Sequence, residues 1–73
     1  MFKKVSGNIY ESDNGYVVEF QKVDGEKAAF VGEKRDDEAI RLLFIISVEG
    51  ITRKEAIAHL EENFETYLDK YVR

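Results

Sequence analysis

From Tyr16 to Gln21 alternate positions form two sets, the apolar Tyr16, Val18 and Phe20 pointing one way and the more polar Val17, Glu19 and Gln21 the other. A period of two is the signature of a half-buried strand. The first set is assigned to the core. Asp13-Asn14-Gly15 precedes this run and Asp24-Gly25 follows it. Asn-Gly and Asp-Gly supply the positive φ angles of tight hairpins. Three strands result, over Val5–Ser12, Tyr16–Lys22 and Ala28–Glu33, as an antiparallel meander. Ile9 is expected in the same core, with either Phe30 or the Ala29/Val31 pair. A sheet with one apolar face needs a cover, which the remaining chain must supply.

Asp36-Asp37-Glu38 suits a helix N-terminus, where carboxylates meet the positive end of the dipole. Gly50 suits the residue after a helix end. A first helix is therefore expected from Asp37 to Glu49. Its middle, Leu42-Leu43-Phe44-Ile45-Ile46, is apolar all round, as in a helix buried on every side. The rival reading is a short buried strand at Leu42–Val48, since the run is rich in β-branched residues; the caps at both ends favour the helix. Thr52-Arg53-Lys54-Glu55 is a capping box, with Ile51 and Ala56 at the staple positions. Ile57, Leu60, Phe64, Tyr67, Leu68 and Tyr71 then recur at helical spacing, so a second helix runs from Arg53 to about Tyr71. The expected fold is a single α+β domain over residues 1–73. A three-stranded meander in residues 1–35 is followed by a helical half in residues 36–73, giving β-β-β-α-α with both helices on one sheet face.

Length tightens this picture. A chain of 73 residues has a small core, and such domains often add a disulfide, a metal or a partner. There is no cysteine and one histidine, which excludes disulfides and thiolate metal sites. A partner chain is the remaining support. Helix 1 would also leave Phe44, Ile45 and Ile46 with more apolar surface than one sheet covers. Those three residues are therefore expected at a homodimer interface.

The net charge of −4 is uneven. Residues 1–35 balance, with Lys3, Lys4, Lys22, Lys27, Lys34 and Arg35 against Glu11, Asp13, Glu19, Asp24, Glu26 and Glu33; the whole excess lies in residues 36–73. An acidic domain is a poor default binder of nucleic acid or anionic membrane. The outer face of the second helix, Glu61, Glu62, Glu65 and Asp69, is the surface expected to meet a basic partner protein. The chain opens Met1-Phe2-Lys3-Lys4 without an apolar leader, and Leu42–Ile46 is too short to span a bilayer. A cytoplasmic location is expected.

Candidate chemistry is sparse. Ser6, Ser12 and Ser47 have no base beside them in any nucleophile pattern. Glu55, His59 and Glu62 share a helical stripe that offers a metal three ligands at most, and a solvated face is the better reading. The carboxylates of Asp36/Asp37/Glu38 and Glu61/Glu62 fall at a helix start and an exposed face rather than in a concave acid–base site. No cofactor is expected. Tyr10, Tyr16, Phe20 and Phe30 near Lys3, Lys22 and Lys27 invite comparison with single-strand nucleic-acid binders, although alternation puts Tyr16 and Phe20 inside. Helix 1, Gly50-Ile51-Thr52 and helix 2 also look like a helix-turn-helix, whose recognition helix would be acidic.

The stretch Glu11-Ser12-Asp13-Asn14-Gly15-Tyr16-Val17-Val18-Glu19-Phe20, with Gly32 and Glu38-Ala39, resembles the small β-β-β-α antitoxins of the HicB type. The chain lacks the Pro-and-Gly motif that follows the second strand in that family. The resemblance implies a small acidic partner that blocks another protein. Three readings follow. The first is a non-enzymatic interaction module, regulator or inhibitor, with a homodimer as its expected assembly. The second is a nucleic-acid-binding module using the sheet, and the third an accessory subunit of a larger enzyme.

Overall fold

The computed structural model describes residues 1–37 and 39–73. They form five antiparallel strands and one helix: β1 Phe2–Ser6, β2 Ile9–Ser12, β3 Tyr16–Val23, β4 Glu26–Lys34, β5 Ile40–Ser47 and α1 Arg53–Tyr71. The sheet order is β1-β2-β3-β4-β5, an uninterrupted meander, and α1 lies across one face. The class is α+β, but the expected three strands and two helices are not the arrangement.

Two corrections account for the difference. The first expected strand is two strands, folded back at Gly7-Asn8, with Ser6 opposite Ile9. Gly-Asn is itself a hairpin signal. The first expected helix is β5, so the rival reading of Leu42–Val48 is right in type, a strand, but that strand lies at the sheet edge with one face open rather than buried. An all-round apolar helix needs neighbours on every side, whereas a strand needs them on two. The acidic cap signal serves a turn instead: Asp37 Oδ1 accepts the Ala39 amide at 3.1 Å, as Asx side chains do in loops. Glu38 lies outside the described residues. Gly50, with φ 81°, sits in a turn in which the Ile51 amide donates to the Val48 carbonyl. With helix 1 gone, the helix-turn-helix likeness goes too.

Both expected hairpins are present, the Asp24-Gly25 turn as read, whereas in Asp13-Asn14-Gly15 Gly15 alone, at φ 92°, takes a positive angle. Asp24 and Gly25 have φ 52° and 83°, the pair of positive angles of a type I′ hairpin. The register sorts side chains by face, because directly paired residues point the same way. Tyr10, Val18, Val31 and Phe44 form one row, and Phe20, Ala29 and Ile46 the next. These rows face α1, whose Ala56, Ile57, Leu60 and Leu68 complete the core. Ala29/Val31 is thus the inward pair of β4, not Phe30, and Tyr10 takes the place expected of Ile9. A bulge in β5 pairs Gly32 with Leu42 and Val31 with Phe44, and the extra residue, Leu43, packs on the core.

The helix starts on the expected capping box. The Glu55 amide donates to Thr52 Oγ1 at 3.1 Å, and the Thr52 amide donates to Glu55 Oε1 at 2.8 Å. The helix is kinked at Asn63 (φ −115°, ψ 15°). There Asn63 Nδ2 donates to the His59 carbonyl at 3.0 Å, competing for the acceptor that the Asn63 backbone would use. Phe64, just past the kink, packs edge-on against Phe2 and Tyr16. Among the described residues, no helix is long and apolar enough to cross a membrane.

Candidate functional site

The face of the sheet away from α1 carries a second set of rows. Ile9, Glu19, Phe30 and Ile45 stand opposite one another, beside Glu11, Val17, Gly32 and Leu42. Ile40, paired with Lys34, continues the edge. Among the described residues no helix covers this face. Ile40, Leu42 and Ile45 are 58, 54 and 47 % exposed, and Ile9 and Phe30 are half-buried. Val17 is buried without a helix above it. The Glu11–Lys34 ion pair, at 3.7 Å, crosses β3 on that side. Three large aliphatic side chains on one edge strand form a contiguous apolar strip, which marks interaction surfaces.

That strand is also a sheet edge. Among the described residues β5 pairs with β4 alone, so its outer amides and carbonyls stay open to a further strand. The two edges differ in their protection. β1 spans five residues and carries Lys3 and Lys4; β5 spans eight, with Arg41 as its single charge. Lysines on an edge are a common guard against strand addition.

The sequence-based candidates fall in different places. Phe44 is buried and stacks on Tyr67 and Tyr71 at 5.3 and 5.7 Å. Ile46 packs on the same core. Ile45 alone of the expected trio reaches the open face. Ile40 and Leu42 were missed, because the run Leu42–Ile46 is apolar at successive positions and reads as a helix. The acidic helix face is partly committed within the chain. Glu61 Oε2 accepts the Phe2 amide at 2.6 Å. Arg73 bridges Asp69 at 2.9 Å and Glu65 at 3.4 Å, and its pKa is raised, chiefly by the hydrogen bond to Asp69. Glu62 forms no ion pair among the described residues. Glu55 is held below the ordinary glutamate range by the Thr52 amide and then by the Thr52 hydroxyl. His59 Nε2 lies 2.7 Å from the Tyr67 hydroxyl. These ties draw two of the three stripe residues into local structure. Among the described residues no group of three His, Cys, Asp or Glu side chains is placed to hold a metal. Of the four aromatics weighed for base stacking, Tyr10, Tyr16 and Phe20 lie under α1, which leaves Phe30.

Comparison with protein families, with curated proteins and with solved structures finds no match for the chain. The likeness of Glu11–Ala39 to the antitoxins has no such match behind it.

Proposed function

We propose that the chain is a non-enzymatic interaction module that works as a homodimer joined along β5. The observation that carries this reading is the exposed apolar strip Ile40, Leu42 and Ile45 on an edge strand without lysine guards. Antiparallel pairing of two copies about an axis near Phe44 sets Arg41 against the Ser47 end of the other copy, so no like charges meet. Such pairing closes as a two-fold assembly rather than a filament. It joins the two open faces into one wider apolar surface, the surface this dimer offers to a target protein. A cytoplasmic site of action accompanies the reading.

Sedimentation velocity tests it. The predicted species has twice the 8.5 kDa chain mass at micromolar concentration. Ile45→Lys places a charge on the open face and returns the protein to a monomer without unfolding it. A wild-type monomer throughout the micromolar range contradicts the proposal.

A further inference from the structure

A cleft of about 230 Å³ opens on the helix side of the sheet, beyond the start of α1. Its apolar lining is Phe20, Ala28, Val48 and Ile51. Its charged lining is Lys22, Lys27 and Arg53, and no carboxylate among the described residues lines it. In a chain of net charge −4, this is a local reversal of sign.

Two details show that the cations are set up against folding preference or held in place. Lys22 and Lys27 are direct cross-strand partners, an arrangement in which like charges destabilise a hairpin. Among the described residues neither ammonium has a carboxylate oxygen within 4.0 Å. Glu49, close in space, turns its carboxylate to the Lys27 amide at 2.8 Å instead. Arg53 is positioned by the Gly7 carbonyl, to which Nη1 donates at 2.7 Å, and its guanidinium lies 5.6 Å from the centre of the Phe20 ring. Two unpaired ammonium groups and one fixed guanidinium thus border an apolar floor.

We infer that this cleft binds a compact organic anion, a ring or branched chain bearing a carboxylate or phosphate. The apolar body sits against Phe20, Val48 and Ile51, and the anionic group lies between Lys22, Lys27 and Arg53. The volume is below that of pockets for drug-sized ligands, so the body is a single ring or its equivalent. The inference stands independently of the dimer.

The test is an amide-resolved NMR titration of the whole chain with four probes: phenyl phosphate, phenylacetate, inorganic phosphate and benzyl alcohol. Saturable shifts at Lys22, Lys27, Ala28 and Val48–Arg53 are expected with phenyl phosphate or phenylacetate, and the tighter of the two identifies the anionic group. Inorganic phosphate and benzyl alcohol each lack half of the required chemistry and bind at least about tenfold more weakly. The double variant Lys22→Thr/Lys27→Thr loses about tenfold in affinity. It melts no lower than the parent, because a Thr–Thr pair replaces a like-charge pair. Absence of saturable shifts with both aryl anions overturns the inference. So does equal binding of inorganic phosphate or benzyl alcohol, or undiminished binding by a folded double variant.

Discussion

At Thr52 and Glu55 one local hydrogen-bonded pair decides where the helix starts. Thr52→Ala removes the cap of the Glu55 amide, and a loss of about 1 kcal/mol in denaturant unfolding is expected. Glu55 adds a pH signature. Its folded pKa is lowered, so its contribution is complete above the ordinary glutamate range and is lost as pH falls through the lower, folded value. Glutamine also completes a capping box but does not titrate. The difference in melting temperature between the wild type and Glu55→Gln is therefore expected to shift against the wild type on acidification. An unchanged difference contradicts this role. Gly32 is a second decisive residue. A Cβ there would meet Ile40 Cγ2 at 2.6 Å and the Arg41 carbonyl at 3.0 Å. Gly32→Ala is expected to cost about 1–3 kcal/mol through overpacking, measured by the same unfolding experiment.

Among the elements, what was legible in the sequence tracks how local the signal is. The β3 alternation, both Gly-containing turns around β3 and the α1 capping box each lie within a few residues, and all four were readable. β5 was not, because Leu42–Ile46 is apolar at successive positions and carries no period. Its strand character depends on β4 lying beside it, a non-local fact. The flanking Asp36-Asp37 and Gly50 serve turns as readily as helix caps, so they misled. The Gly7-Asn8 hairpin was readable and was passed over within a longer apparent strand. Consequently Tyr10 and Ile9 exchanged faces, as a slip of one residue requires. The candidate surface inherits these limits: Ile45 was found, while Ile40 and Leu42 became visible only in the register with β4. Leu60, fully buried where α1 meets the sheet, tests the packing of these elements. Leu60→Ala is expected to cost about 2–5 kcal/mol. Circular dichroism during denaturation would then show helix and sheet unfolding together at a lower midpoint.

For the whole molecule, the helix solves the burial problem of one sheet face and leaves the other open. A small core supplies a narrow margin, and pairing along β5 would add burial without lengthening the chain. Dimer formation would then stabilise the fold by mass action, so the melting temperature is expected to rise with protein concentration. The most direct measurement of the central claim, that β5 is a pairing edge, is amide hydrogen exchange of the β5 backbone groups not bonded to β4, followed across concentration. The account predicts that these amides gain protection as concentration rises in the wild type and stay fast in Ile45→Lys. Fast exchange at every concentration, with the β4-paired amides of β5 protected throughout, would mean that β5 is a free edge, and the dimer would be refuted.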